Sequence, residues 1–497
     1  MMRLLLPLFV MSLLAIAAPP ARAATCESLA SLTLANGTVT LAQDVAAGSF
    51  TPPGRGGRGG NAFAALPAFC RVAIALRPTP RSDIKAEVWL PSAGWNGKLL
   101  VVGNGGFAGT IGYSAMAGAL ASGYATASTD TGHTGPAANT FVNEDVLVDY
   151  AHRAVHETTA AAKRIVDGLY GRPQQFAYFS GCSTGGRQGL QAAQRYPGDF
   201  DGIVAGAPGL RPSRQAFGQN WLYQAQIDPA SRLTDETLAF VHAAVLNACD
   251  AQDGARDGVL ENPPACRFDP QVLACREGNT SSCLTPPQVE AVRKIYAGPS
   301  NPRTGEPLFP GLEPGSEPGW SPGPVGLAAD YFRYVVFEDP EWDPKSLNFD
   351  AHVTLTDARP WRAILDAANT DLRAFTRHGK LLLYQGWADP GIPPRNVVNY
   401  YDAVQAELSN PRDAVRLFMV PGMGHCGGGT GVNTFDMVAA LDRWVTTGQA
   451  PASIPASRAE DGKIVRTRPL CAYPQFAVYD GSGSIDDAAN FSCRSSR

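Results

Sequence analysis

Beyond its first two dozen residues the sequence contains no apolar run of the about 20 residues that a membrane-spanning helix needs, which argues against an integral membrane protein of the helical kind. Basic residues are not in excess. The chain carries 41 Lys and Arg against 45 Asp and Glu, a formal charge of −4 and a pI near 6.0, so it has no electrostatic footprint for nucleic acid or an anionic membrane surface. Internal repeats are missing, as are the glycine-rich dinucleotide and P-loop fingerprints, and solenoids and nucleotide enzymes lose their usual signatures.

What is present begins with a leader. Residues 1–23 combine one basic residue, Arg3, with an apolar run and a small-residue site at Ala21-Arg22-Ala23, the pattern of a secretory signal peptide cut after Ala23. All ten cysteines follow it. An even number in an exported chain predicts disulfides and a secreted or periplasmic protein. The stretch GRGGRGG at Gly54–Gly60 reads as a low-complexity loop.

From Leu99 onward, short apolar runs rich in β-formers alternate with glycine-rich turns and helical stretches, the rhythm of a mostly parallel α/β sheet with crossover helices. Strands are predicted at Ala86–Leu90, Lys98–Val102, Tyr124–Ser128, Phe176–Ser180, Gly202–Ala205, Lys380–Gln385 and Val415–Val420, and helices at Val148–Leu169 and Gly186–Arg195. Residues 210–375 break the rhythm. They are rich in Pro, Gly and Trp, hold four of the cysteines and show no strand–helix alternation, whereas strand-like runs resume at Lys380. The expected organisation is one catalytic domain, residues 24–209 and 376–497, with residues 210–375 inserted as a lid domain.

Gly181-Cys182-Ser183-Thr184-Gly185 lies between an apolar strand and a helix, which is Gly-x-Ser-x-Gly in the context of a nucleophile elbow. The turn exposes the Ser183 hydroxyl above a helix N-terminus, whose dipole favours a developing negative charge. A hydroxyl needs a base and the base an orienting acid, expected in the order Ser, Asp, His. Asp389 follows the strand Lys380–Gln385, and His425 follows the strand Val415–Val420 and is the only histidine after Asp389. An α/β-hydrolase fold with Ser183, Asp389 and His425 as its triad is therefore expected. The oxyanion hole should use the backbone N–H of Thr184 and an amide from Gly103–Ala108, with Ala108 or its neighbour Phe107 favoured. Cys182 precedes the nucleophile and Cys426 follows the base, so a hydrogen-bonded Ser–His pair brings the two cysteines within the roughly 4.4–6.8 Å that a disulfide bridges.

Cys249–Val259 (CDAQDGARDGV) packs Asp250, Asp253 and Asp257 with two glycines into a short loop. Hard oxygen ligands on sharp turns suit Ca²⁺, with carbonyls such as those of Ala255 and Val259 completing the shell; the alternative is a solvated acidic turn. His152 and His156 have the i, i+4 spacing of a helical metal pair but lack an adjacent glutamate and a third ligand, so zinc is not expected.

Taken together, GCSTGG at Gly181–Gly186, FDGIVAGAP at Phe200–Pro208, CDAQDGARDG at Cys249–Gly258, PGMGHCGGG at Pro421–Gly429 and RTRPLCAYP at Arg466–Pro474 resemble the tannase and feruloyl esterase family, which also includes the mono(2-hydroxyethyl) terephthalate hydrolase. The resemblance covers nearly the whole mature chain. It implies the same triad, the Cys182–Cys426 bridge, an inserted lid, and Ca²⁺ held at Asp250, Asp253 and Asp257 with the carbonyls of Ala255 and Val259. It further implies the pairs Cys26–Cys70, Cys249–Cys266, Cys275–Cys283 and Cys471–Cys493; closeness in sequence separately supports the second and third. The implied activity is a serine esterase acting on esters of aromatic, phenolic acids, with a terephthalate monoester as the competing substrate and a non-catalytic binding module as the reading from another class. The partner is then a small aromatic ester, with neither nucleic acid nor membrane. Tyr331, Phe332, Tyr334, Phe337 and Trp342 offer aromatic surface for such a ring, although each more commonly serves a lid's own core; Arg333 is a candidate for a substrate carboxylate but reads first as a surface arginine.

Overall fold

The structure, a computed structural model, describes residues 24–53, 63–107, 109–135, 138–276, 282–409 and 411–495. The expected leader, the Gly54–Gly60 loop and Ala108 lie outside them. Among the described residues no helix is long and apolar enough to cross a membrane.

Nine strands form the central sheet: β1 Gly37–Val45, β2 Phe69–Leu76, β3 Ile84–Pro91, β4 Lys98–Val102, β5 Ala125–Thr129, β6 Phe176–Cys182, β7 Gly202–Gly206, β8 Lys380–Gly386 and β9 Val415–Val420. Their order is β1-β2-β3-β5-β4-β6-β7-β8-β9. The first three run antiparallel to their neighbours, and β5 through β9 pair in parallel. The sheet is therefore mixed, with an antiparallel edge that the strand pattern did not announce. In β1 the buried positions do not alternate regularly, because an edge strand is only partly covered.

Alternate positions of the parallel strands face opposite layers. Leu99, Val101, Ala177 and Phe179 join the core under helices α2 (Ala154–Tyr170), α3 (Thr184–Arg195) and, further along, Arg395–Glu407. Leu100, Val102 and Tyr178 face the other layer, built on α1 (Tyr113–Ala121) and Met437–Thr447. This period of two, buried on both sides, is what makes parallel strands read as continuous apolar runs. The helix expected at Val148–Leu169 is a composite: a short helix, Glu144–Val148, passes through a π-helical turn at Asp149–Arg153 into α2. Its two histidines bond Tyr196 and Asp199.

Between β7 and β8, which are adjacent and parallel, the chain makes its long excursion. The described part of residues 210–375 contains helices, including α4 (Pro212–Gln224), α5 (Asp235–Cys249) and α6 (Pro286–Ala297), and contributes no strand to the sheet. Two apolar clusters hold it together. One is Leu238, Val241, Val245, Val289, Val292 and neighbours, and the other gathers Phe217, Tyr331, Phe332, Trp342 and Phe349 against Phe141 and Tyr150 of the catalytic part. The helices Arg395–Glu407 and Met437–Thr447 complete the series as α7 and α8. After α8, a three-stranded sheet formed by β10 (Thr434–Phe435), β11 (Ser453–Glu460) and β12 (Lys463–Cys471) leans on β9, with a bridge between Phe418 and Ala472. A hairpin of β13 (Phe476–Tyr479) and β14 (Phe491–Arg494) follows. All ten cysteines are paired: Cys26–Cys70, Cys182–Cys426, Cys249–Cys266, Cys275–Cys283 and Cys471–Cys493.

Candidate active site

Parallel pairing of β6, β7, β8 and β9 lines up their carboxyl ends, where α/β sheets present ligand-binding loops. Ser183 stands at the end of β6 with φ 64° and ψ −119°, a conformation that side chains other than glycine rarely adopt. The flanking glycines make that turn possible. A Cβ on Gly181 would lie 2.7 Å from the backbone of Gly185, and one on Gly185 would lie 3.0 Å from the Asn104 carbonyl. Ser183 N–H donates to the Gly206 carbonyl at 2.9 Å, which ties the turn to β7.

Asp389 is fully buried and its carboxylate is saturated with donors. Oδ1 accepts from the backbone N–H groups of Gly391 (2.8 Å) and Ile392 (3.0 Å), and Oδ2 accepts from Gln385 Nε2 (2.8 Å) and His425 Nδ1 (2.8 Å). Because an ionised carboxylate only accepts, Nδ1 carries the proton and Nε2 is left as the acceptor. Ser183 Oγ sits 2.9 Å from that nitrogen and donates to it. Three side chains expected from sequence are thus joined in one hydrogen-bonded series, the geometry of a base-activated hydroxyl. Burial pushes the His425 pKa down, but the hydrogen bond and charge of Asp389 push it up by more, and it stands above the usual histidine value.

Cys182 and Cys426 flank the series with Cα atoms 6.0 Å apart, and Cys426 itself has φ 61°. The glycine-rich loop after β4 is held against the elbow by two residues that sequence reading did not single out. Gln188, on α3, accepts from Asn104 N–H (3.0 Å) and donates to Asn104 Oδ1 (3.1 Å), while Asn104 Nδ2 donates to the Thr110 and Thr129 carbonyls. Asparagine between glycines in Gly103-Asn104-Gly105-Gly106 was the available signal; its partner 84 residues away was not. Thr184 is the first residue of α3, so its N–H has no acceptor within the helix, and its hydroxyl donates to the Gly106 carbonyl at 2.8 Å. Gly105 and Gly106 line the space beside Ser183, whereas the Phe107 carbonyl is turned to His133 Nε2 at 2.8 Å.

A cavity between Ser183 and the insert is lined by Phe107, Tyr150, Thr184, Gln215, Tyr331 and Ile392. Of the five aromatic residues expected to offer a surface to the substrate, only Tyr331 reaches this lining; Phe332 and Trp342 are buried in the insert's core, with Tyr334 and Phe337 packed against it. Arg333 is also absent from it, since its guanidinium bonds the Trp342 carbonyl and Asp330. The cation that does line the cavity is Arg187, buried on α3 over the Tyr150 ring, with Nη1 donating to the Ala151 and Leu365 carbonyls and Nη2 without a partner.

These features are shared with known proteins. A family model described as tannase and feruloyl esterase matches residues 70–494. The chain belongs to the tannase and feruloyl esterase family. It is 40% identical to an uncharacterized esterase of Xanthomonas campestris over 95% of this chain and 91% of that one. It is 32% identical to the mono(2-hydroxyethyl) terephthalate hydrolase of Piscinibacter sakaiensis, covering 86% and 85%. The crystal structure of feruloyl esterase B from Aspergillus oryzae superposes with a TM-score of 0.87 at 31% identity, over 94% of this chain and 99% of that one.

In the insert, the acidic loop follows α5 and docks on the carboxyl-terminal strands. Ala255 packs with Cys471, Ala477 and Phe491, and Arg468 lies over the Phe491 ring while paired with both Asp257 and Glu261 (3.2 Å to the latter). Arg466 approaches the same Asp257 oxygen at 3.6 Å. Among the described residues no three acidic, His or Cys side chains converge in metal-holding geometry. The donor chemistry nonetheless suits a hard cation: Asp250 Oδ1 and Asp253 Oδ2 are buried oxygens with no hydrogen-bond partner, and four carboxylates face only two guanidinium groups. Burial, with the neighbouring carboxylates, pushes Asp253 up to about 6.

Two predictions follow from the geometry. With neutral His425 as the base, activity is expected to fall as pH drops through its pKa, and Asp389, which raises that pKa, places the expected acid limb above the usual histidine value. Asp389→Asn removes the carboxylate that holds the proton on Nδ1, so kcat should fall by about 10⁴-fold, and with the raising charge gone and burial left the residual acid limb should move to lower pH. A pH–rate profile checks both, and an unmoved limb would uncouple the two residues. Replacing Cys182 and Cys426 together with alanine should lower kcat and the melting temperature in parallel, because the bridge joins loops 244 residues apart in sequence. Peptide mapping of the non-reduced protein should recover the linked pair.

Proposed function

We propose that this protein is an exported serine hydrolase for esters of aromatic carboxylic acids, working through an acyl-enzyme on Ser183. The observation that carries the reading is the Ser183–His425–Asp389 series opening on a cavity lined by aromatic and apolar side chains with a few amide and hydroxyl groups. His425 takes the Ser183 proton as Oγ attacks the ester carbonyl. The resulting oxyanion is stabilised by the Thr184 N–H and a second amide from the Gly105–Phe107 segment, Gly106 being favoured by its place beside Ser183. The alcohol leaves with the proton from His425, and water, activated by the same imidazole, releases the acid. The family relatives named feruloyl esterase support the acid class. The leader pattern and five disulfides support a secreted or periplasmic location.

A second reading, a monoester of an aromatic dicarboxylic acid, is favoured by Arg187, the cation among the residues that line the cavity beside Ser183. Turnover of methyl ferulate, methyl gallate and mono(2-hydroxyethyl) terephthalate separates the two. On whichever ester is preferred, Ser183→Ala should lower kcat by roughly 10⁴-fold or more with the melting temperature retained. Near-normal turnover in that variant would remove Ser183 from the mechanism.

We also propose that Asp250, Asp253 and Asp257, with the carbonyls of Ala255 and Val259, hold a structural Ca²⁺. Binding to the folded state alone raises stability by mass action, and no catalytic step needs the ion. Chelation should lower the melting temperature by a few degrees, about what is expected when a ligand present at ~100 Kd is withdrawn from a large domain, and added calcium should restore it. An unchanged melting curve, with no calcium by elemental analysis, would leave the loop as an acidic turn.

A further inference from the structure

The loop after β4 that faces the elbow has no side chains of its own to hold it at Gly105 and Gly106. Without a Cβ the peptide planes there rotate with little steric resistance, and Gly106 stands at φ 57°. An oxyanion hole built on that segment works only if its N–H groups keep one direction, since the donors must already be aimed where charge develops. Asn104, locked by Gln188, holds one end. At the other end the Gly106 carbonyl accepts from two hydroxyls, Thr184 Oγ1 at 2.8 Å and Tyr150 Oη at 2.9 Å, and the Phe107 carbonyl accepts from His133 Nε2 at 2.8 Å. A peptide unit is planar, so fixing a carbonyl fixes the N–H opposite it. Two donors match the two lone pairs of the Gly106 oxygen and hold its plane from two sides.

Tyr150 reaches this carbonyl through a local irregularity. It lies in the π-helical turn Asp149–Arg153, whose extra residue turns the chain before it by about 100° relative to a regular helix. From Ala154 onward α2 keeps its apolar face in the core against the sheet, whereas Tyr150 belongs to the aromatic cluster beside the insert. Its ring is buried, with the Arg187 guanidinium 4.7 Å from its centroid and the rings of Phe141 and Phe107 at 4.5 and 5.9 Å. Arg187 comes from α3, the helix that begins at the elbow, and the same guanidinium donates to the Ala151 carbonyl of the turn. The hydroxyl is thus placed by the ring, and the ring by the π-helical turn and Arg187.

We propose that Tyr150 is a positioning residue of the oxyanion hole: its hydroxyl, together with that of Thr184, holds the Gly106 carbonyl so that the amides of Gly105–Phe107 stay turned toward the oxygen that becomes charged. The assignment rests on the acyl-enzyme reading above. Because the hydroxyl is engaged by the carbonyl, removing it withdraws support from the tetrahedral state and leaves the ring, which lines the cavity beside Ser183, in place. Support of that kind enters the rate of the chemical step and not the binding of the ground-state ester.

Tyr150→Phe tests it, since the ring and its contacts are kept. On an aromatic methyl ester, kcat should fall by about 10- to 100-fold, the upper end being what a displacement of roughly 1 Å costs, while KM stays within about twofold. Two inhibitors then separate positioning from packing. A trifluoromethyl ketone analogue of the ester, which forms a tetrahedral oxyanion on Ser183, should bind more weakly by about the factor lost in kcat/KM, and the free carboxylic acid product should bind as it does to the wild type. Equal weakening of both inhibitors, as a changed cavity shape would give, or an unaltered kcat would overturn the assignment and leave the acyl-enzyme reading standing. Should Tyr150→Phe fail to fold, Thr184→Val removes the other donor to the same carbonyl and is put to the same measurements, with the same results for and against. If the wild-type protein cleaves no aromatic methyl ester, the acyl-enzyme reading itself fails, and the assignment falls with it.

Discussion

The hydrogen bond from Ser183 Oγ to His425 Nε2 spans loops 242 residues apart in sequence, and the surrounding architecture serves to keep it at 2.9 Å. The sheet puts both loops at the same edge, with β7 and β8 between the strands β6 and β9 that lead to them, but a shared edge leaves several ångströms of freedom, far more than a proton transfer tolerates. Three further devices remove that freedom. Ser183 is held at a positive φ by backbone hydrogen bonds to Gly206 of β7 and from Gly209, the Cys182–Cys426 bridge ties the residue before Ser183 to the residue after His425, and Asp389 fixes the imidazole from behind. Asp389 in turn is held by two backbone amides and Gln385, so its buried charge is fully hydrogen-bonded.

The inserted segment depends on the same frame. Its chain leaves after β7 and returns at β8, so both ends are anchored beside the catalytic loops, and its aromatic cluster closes against Phe141 and Tyr150. The far end is secured differently. Asp257 and Glu261 meet Arg468 on β12, and β12 leans on β9, the strand that leads to His425. The acidic loop is thus a joint between the insert and the carboxyl-terminal strands, which is why a cation proposed there bears on stability rather than on bond breaking.

Much of the candidate site was legible because its signals are local. An apolar strand followed by Gly-x-Ser-x-Gly and a helix, and an acid and a histidine each just past a strand end, are patterns of a few residues, and the sheet that unites them follows from the alternation of strands and helices. The Cys182–Cys426 pair was legible for the same reason, being adjacent in sequence to residues already assigned. Strand β1 was missed because a partly covered edge strand needs little apolar alternation, and the insert's aromatic residues carried no mark distinguishing its core from its surface.

Sequence alone determined the nucleophile, acid and base candidates, the α/β class and the position of the insert, because each rests on residue order and on periods of two or 3.6 residues. Tertiary structure alone decided that Gln188 locks Asn104, that Arg187 rather than Arg333 reaches the cavity beside Ser183, and that Arg468 meets the acidic loop. Each of these is a meeting of side chains far apart in the chain, and which of them meet is set by how helices and strands pack over the sheet, not by any spacing along the sequence.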